Sequence, residues 1–187
     1  TTPREIFVPK SYEDLAFADM NIPLMHDQVM LRPAEEARLI QALNIQETDT
    51  VLEIGTGSGY TTALLAQLGK QVYSVDIFAD FTEQAKNKLT NFGINNIIFI
   101  TADGSRGWEP EAPYDAIIIT GSLAFLPDTF RHSLKPGGRL VAILGQAPAM
   151  EATLITYHGD NKWHQQKIFE TVVPTLINAP TVPAFRF

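Results

Sequence analysis

A chain of 187 residues, 45% of them hydrophobic and 19% charged, has the composition of a single folded domain with a sizeable core, which excludes a disordered chain. Its 14 Lys and Arg stand against 21 Asp and Glu, a net charge of -7 with a pI near 5.0, and no basic run occurs, so no nucleic-acid partner is expected. The lack of cysteine excludes disulfides, thiolate nucleophiles and Cys-based zinc sites and agrees with a cytoplasmic setting, while no apolar run reaches the roughly 18 to 20 residues of a membrane span.

Residues 1–49 open on "FVPKSYEDLAFADMNIPL", where prolines and aromatics follow no period; this stretch reads as a cover laid over the ligand edge of a sheet. "RPAEEARLIQALNI" then predicts a helix with Pro33 in its first turn. From residue 50 apolar runs alternate with helical patterns. "TVLEI" (50–54) reads as a buried strand, "GYTTALLAQLG" (59–69) as a helix stopped by Gly69, and "QVYSVD" (71–76) as a second strand. "DFTEQAKNKLTNFG" (80–93) is a helix with Asp80 as its cap and Gly93 as its stop, and "NIIFITAD" (96–103) a third strand. "YDAIIITG" (114–121) is a fourth strand, "FLPDTFRHSL" (125–134) a short helix, and "GGRLVAILG" (137–145) a fifth strand entered through the turn "KPGG".

This rhythm implies right-handed crossovers and a doubly wound, mostly parallel α/β sheet covered on both faces. "EATLITYHG" (151–159) and "WHQQKIFETVV" (163–173) meet across "DNK" as a hairpin, adding antiparallel strands at one edge. One domain thus has a cover and helix (1–49), an α/β core (50–145), a β-rich part (146–178) and a tail (179–187). The tail, with two prolines in "NAPTVPAFRF", is either frayed or an arm packed on something else.

The functional signal lies in "VLEIGTGSGY", where Gly55, Gly57 and Gly59 follow the first core strand. Glycines at such a place let the backbone pass close to a ligand beyond the carboxyl ends of the strands. A dinucleotide fingerprint would need its third glycine at position 60, which is Tyr60, so a nicotinamide cofactor is disfavoured. The spacing E-x-G-x-G-x-G, with Glu53 on the strand, is instead the pattern of class I methyltransferases that bind S-adenosylmethionine. Asp76 ends the second strand, where a carboxylate can accept from both ribose hydroxyls, and Asp103 with Gly104 ends the third, where the adenine edge can be read. An acid at a strand end is often only a turn former or cap, and a glycine triplet can be only a tight turn. The loop and both acids, in order and each at a strand end, favour a ligand site, with Thr56 and Ile77 beside them. The four histidines, His26, His132, His158 and His164, show no metal-ligand spacing, so no metal is expected.

Over nearly its whole length the chain resembles the protein-L-isoaspartate O-methyltransferase family. The resemblance runs through "REIFVP" (4–9), "YEDLAFAD", "IPLMHDQ" (22–28), the glycine loop, "VYSVD", "DG" (103–104), "PYDAIIIT" (113–120), "LKPGGRL" (134–140) and "FETVVP" (169–174). It implies a seven-stranded, Rossmann-like methyltransferase sheet. The implied activity is methyl transfer from S-adenosyl-L-methionine to isoaspartyl residues of damaged proteins or peptides, leaving S-adenosyl-L-homocysteine, in a cytoplasmic monomer or homodimer. An isoaspartyl carboxylate has a pKa of about 3.5 to 4 and is ionised at neutral pH, so no general base is needed.

Three features depart from the family pattern. A long helical segment before "FVP" is missing, the chain opening at Thr1; Asp27 replaces a glycine in "DQVMLRP", with Leu31 at the place of a serine held important at the active site; and "GSLAF" replaces a run of small residues. The resemblance therefore puts Leu31 beside the transferring methyl, with the backbone of Met30 and Leu31 lining the cofactor pocket. The alternative is that Leu31 packs under the cover and that Thr120, Ser122 or His26 line the acceptor side. Two other functions stay open: a methyltransferase of the same fold with another small or peptidic acceptor, and a catalytically weak S-adenosylmethionine-binding protein.

Overall fold

The computed structural model describes residues 2–181. Two short 3-10 turns, Arg4–Ile6 and Lys10–Leu15, begin the cover. A two-stranded ribbon of β1 (Ile22–Pro23) and β2 (Val29–Met30) follows, then helix α1 (Pro33–Leu43), with Pro33 at its start and Asn44 in a left-handed conformation at its end. The core comprises β3 (Thr50–Ile54), α2 (Tyr60–Leu68), β4 (Gln71–Asp76), α3 (Ala79–Asn91), β5 (Ile97–Thr101), β6 (Tyr114–Leu123), α4 (Asp128–His132) and β7 (Leu134–Gln146). The hairpin of β8 (Ala149–Tyr157) and β9 (Trp163–Glu170) completes a seven-stranded sheet in the order β5-β4-β3-β6-β7-β8-β9, parallel up to β7 and antiparallel thereafter. The doubly wound, mostly parallel reading and its antiparallel edge are as the sequence predicts.

The central strands are apolar on both faces, and the period of two divides them between two cores. Val51, Ala116, Ile118, Val141 and Ile143 join Leu39, Leu43 and Leu65 on one face, whereas Leu52, Ile117, Ile119, Leu140 and Ala142 join Phe130 and Leu134 on the other. A third cluster, with Phe7, Val8, Ile22 and Met30 against Ala63 and Leu89, seats the cover on α2 and α3.

Four local readings are corrected. Asp80 does not cap α3: Phe78 stands at the cap position, and the Asp80 carboxylate accepts from the Phe81 N–H and from His26. "KPGG" lies inside β7, where the register against β6 jumps from Tyr114↔Leu134 to Ala116↔Arg139, so it is a bulge within the strand rather than a turn before it. The third core strand ends at Thr101, which leaves Asn96 free to tie the end of α2 through Ala66 O and Gly69 O, and leaves Asp103 on the loop. The helix at 125–134 is only Asp128–His132, entered through Pro127. The "DNK" turn stands, with Asp160 and Asn161 in left-handed conformations; the tail beyond residue 181 lies outside the described residues.

Arg4 is 1% exposed, and its guanidinium pairs with Glu36 while donating to Leu31 O and Ala16 O. Removing one partner of a buried pair strands the other charge. Arg4→Met is therefore expected to lower unfolding stability by about 3–5 kcal/mol in urea denaturation. Lys167→Ala, whose partners Glu151 and Glu170 are exposed, is expected to change nothing measurable.

Candidate functional site

Sheet order reverses about β3, whose successor β4 lies on one side and β6 on the other, so a crevice opens at their carboxyl ends. An open cleft sits there. Its walls come from six stretches of chain: Gln28 and Val29 of the cover, the loop after β3, the residues after β4, the loop after β5, the end of β6, and Pro174, Leu176 and Ile177.

Glycine is required in the loop for two reasons. At Gly55 (φ +99) a Cβ would stand 2.2 Å from Thr120 Oγ1, so the loop can lie against β6 only without a side chain. At Gly57 (φ +49) there is room, with the nearest atom at 3.5 Å, but the backbone is left-handed and its N–H donates to Asp76 Oδ2 at 3.0 Å. The Asp76 Oδ1 accepts from Phe78 N–H at 2.9 Å. Burial pushes Asp76 above the usual carboxylate range, against the N–H groups of Gly57, Phe78 and Thr56. Each oxygen keeps a second lone pair, so the carboxylate can still accept from a diol.

Glu53 lies beneath the loop rather than in the cleft wall. It is 0% exposed, and its Oε2 accepts from Thr62 Oγ1 (2.5 Å) and Ser74 Oγ (2.6 Å), while Ser74 Oγ also meets Thr56 Oγ1 at 2.6 Å. Oε1 has no partner. Burial pushes Glu53 up to about 8, against the Ser74 and Thr62 hydroxyls, so the acid is neutral at pH 7 with its proton free to sit on Oε1. Thr56 is buried in this network, and both residues support the loop from below.

Of the other sequence candidates, Gly55, Gly57, Asp76, Ile77, Gly104 and Thr120 line the cleft together. A register shift in β6 between Ile118 and Ser122 places Thr120 and Gly121 there. Thr120 shares its O–H between Ile54 O and Gly55 O. Gly59 (φ +85) starts α2 and packs against Ala85 instead of lining the cleft. Asp103 stands at its margin, with Oδ1 accepting from Ser105 N–H (2.9 Å) and Oδ2 from Asn178 Nδ2 (3.0 Å). Slight burial raises Asp103, but Ser105, Asn178 and Arg106 together hold it below the usual range.

The acceptor-side candidates need correction. Leu31 is 5% exposed and belongs to the apolar core with Leu39 and Ile40, so it packs under the cover. The Met30 side chain is buried with Phe7 and Ile22, and the cleft is lined by Gln28 and Val29 rather than by Met30 or Leu31. Ser122 is fully buried, its Oγ donating to Val173 O and Thr175 Oγ1. His26 is exposed (φ +58), stacks on Phe78 at 4.0 Å and bonds Asp80 Oδ2 at 2.8 Å, clasping the cover to the start of α3. Phe78, Phe81, Gln28, Ser105 and the stretch Pro174–Ile177 were missed. Phe78 and Phe81, one helical turn apart just after Asp76, carried a readable signal, and Gln28 and Pro174 end two segments that carry the family resemblance; Ser105 and residues 175–177 carried none.

The family model described as Protein-L-isoaspartate(D-aspartate) O-methyltransferase matches residues 1–178. A protein-L-isoaspartate O-methyltransferase of Dictyoglomus thermophilum is 39% identical over 163 residues, 87% of this chain and 74% of that protein. A solved protein-L-isoaspartate O-methyltransferase superposes with a TM-score of 0.81 at 28% identity; 93% of this chain is covered, and it spans 58% of the length of that one. A Plasmodium falciparum structure in complex with S-adenosyl-L-homocysteine is similar in fold, with a TM-score of 0.76 at 19% identity over 92% of this chain and 85% of its own.

Glu53 also sets a pH dependence. The unfolded carboxyl titrates near 4.5 and the folded one near 8, so between these values the folded state holds a proton that the unfolded chain has released. Its contribution is complete below pH 4.5 and is lost as pH rises to 8. Glu53→Gln imitates the neutral acid, so the variant is expected to match wild type at the low end and to become progressively the more stable towards the high end, in urea denaturation followed across pH.

Proposed function

Because the chain belongs to the protein-L-isoaspartate(D-aspartate) O-methyltransferase family, we propose that it methylates the α-carboxylate of L-isoaspartyl residues in damaged proteins, with S-adenosyl-L-methionine as methyl donor. The observation that carries this reading is the cleft: glycine loop, Asp76, Gly104 and Thr120 meet around it at the carboxyl edge of the sheet. The residues fit the donor. Asp76 has unused lone pairs for a ribose diol, and at Gly57 the space a side chain would take is open. When bound, the donor supplies an electrophilic sulfonium methyl, and its product is S-adenosyl-L-homocysteine.

The protein's part is placement. An isoaspartyl carboxylate is already ionised at neutral pH, so no side chain has to remove a proton; the walls exclude water and hold the two reactants in line. The resulting ester closes to a succinimide that reopens to aspartate, which makes the activity a repair. No helix among the described residues is long and apolar enough to cross a membrane, and we place the enzyme in the cytoplasm as a monomer or homodimer.

Radiolabelled methyl transfer to an isoaspartyl peptide, compared with its aspartyl twin, tests the reading. Turnover of the isoaspartyl peptide alone is expected. Binding of the donor without turnover of either peptide would move the assignment to a methyltransferase of the same fold with another acceptor. Asp76→Ala is expected to weaken donor binding by about 1.5–3 kcal/mol, measured by calorimetry, with the fold retained. Leu31→Ser is expected to lower stability by about 2–5 kcal/mol in thermal or urea unfolding, because it leaves a cavity and buries a hydroxyl in the core, and to give no gain in turnover.

A further inference from the structure

Beyond β9 the chain crosses the carboxyl edge of the sheet, and nothing in its sequence announces a role there. Ser122 N–H donates to Pro174 O (2.9 Å) and Leu176 N–H to Ser122 O (3.0 Å), so residues 174–176 pair with the end of β6 as a short parallel bridge. A Cβ on Gly121 would stand 2.7 Å from Leu176, so the strap and β6 are fitted to one another. Pro174, Leu176 and Ile177 form one wall of the cleft. The strap then reaches the loop after β5. There Asn178, left-handed at φ +60, accepts from Ser105 Oγ on its carbonyl (3.2 Å) and donates from Nδ2 to Asp103 Oδ2 (3.0 Å).

The strap therefore joins two walls of the cleft that the sheet itself leaves apart, and it ends on the carboxylate placed to read the adenine. We propose that Asn178 is a positioning residue for the purine: it holds the Asp103 carboxylate, together with the Ser105 N–H, in the orientation that accepts from the 6-amino group. This rests on the reading of the cleft as an S-adenosylmethionine site. The Asp103 oxygens each keep a lone pair after the Ser105 and Asn178 bonds, so the purine amine adds to the network and displaces neither bond. Asp103 and Asn178 are exposed in the free protein, where water competes with their bond; a purine lying over them shields it. Backbone contributes as well, since a left-handed Asn strains little and directs side chain and carbonyl at the same loop.

Calorimetric binding of S-adenosyl-L-homocysteine and of S-inosyl-L-homocysteine, whose purine carries an oxygen in place of the 6-amino group, tests this. Wild type is expected to prefer the adenosyl ligand by about tenfold or more, since an acceptor facing the Asp103 carboxylate is repelled. Asn178→Ala is expected to weaken adenosyl binding about three- to tenfold and to leave inosyl binding unchanged, so the preference shrinks. Asn178→Gly keeps the left-handed backbone without strain but offers no donor, and it is expected to lose preference in the same way even where the alanine variant loosens the strap. Equal losses for both ligands in both variants would reduce the strap to a structural role and overturn the proposal. Tighter adenosyl binding by Asn178→Ala would overturn it too, since Asn178 would then be competing with the purine. Asp103→Ala that keeps the preference would remove Asp103 from purine reading while leaving the methyltransferase assignment standing. Wild type that binds neither ligand would sink the assignment itself.

Discussion

One buried guanidinium joins the cover to the cofactor half of the molecule. Arg4 pairs with Glu36 of α1, whose other oxygen accepts from Thr61 of α2, and the same guanidinium donates to the carbonyl of Leu31 next to β2. Burial pushes Glu36 up, and the Arg4 charge opposes it, so neither group can be spared without stranding the other. Because β2 leads directly from Gln28 and Val29, which line the cleft, the position of that wall is set by a contact on the far side of the strand. Tyr60, the residue that breaks a dinucleotide fingerprint, lies with its ring 4.8 Å from the Arg4 guanidinium. The departure that argues against a nicotinamide cofactor is thus also a packing partner of the cover.

Two carboxylates under and beside the glycine loop divide the work through their surroundings. Glu53, enclosed, takes the neutral form and bonds the hydroxyls of Thr62 and Ser74, the latter passing the support on to Thr56 in the loop. Asp76, at the cleft, is met by backbone N–H groups that favour its charge. A neutral acid can be a rigid post without an uncompensated charge in the core, whereas a charged one is needed where hydroxyls of a ligand are to be bound. Neither role could be exchanged, because the donors at each position differ in kind.

The central strands were legible because they are buried on both faces and read as unbroken apolar runs; Thr50–Ile54 and Gln71–Asp76 match their sequence bounds residue for residue. The cofactor loop was legible for a related reason, since glycine spacing reports local backbone demands. Contacts made across long separations left no local trace. Asn178 meets Asp103 from 75 residues away, and Ser122 meets Thr175 from 53, so a serine after a strand looked like a site residue when its hydroxyl is committed to the chain itself. Leu31 misled through alignment to a family position, where burial against α1 rather than chemistry explains the leucine.

That commitment of hydroxyls bears on how an acceptor is held. Ser122 Oγ is spent on the strap, Thr120 Oγ1 on the carbonyls of the glycine loop, and the Gln28 amide on His26 O. Each bond fixes a stretch of chain at the cleft, and the Thr120 O–H is thereby withdrawn from the lining. Much of the cleft lining is apolar, with Val29, Phe78, Phe81, Leu176 and Ile177 among it. An acceptor presented on many different damaged chains shares only its backbone and one carboxylate, so a mouth of adaptable apolar side chains suits it better than a fixed set of donors that would demand one flanking sequence. Selectivity would then come from where the carboxylate can reach, with the depth of the cleft and the reach of the extra backbone methylene separating isoaspartate from aspartate.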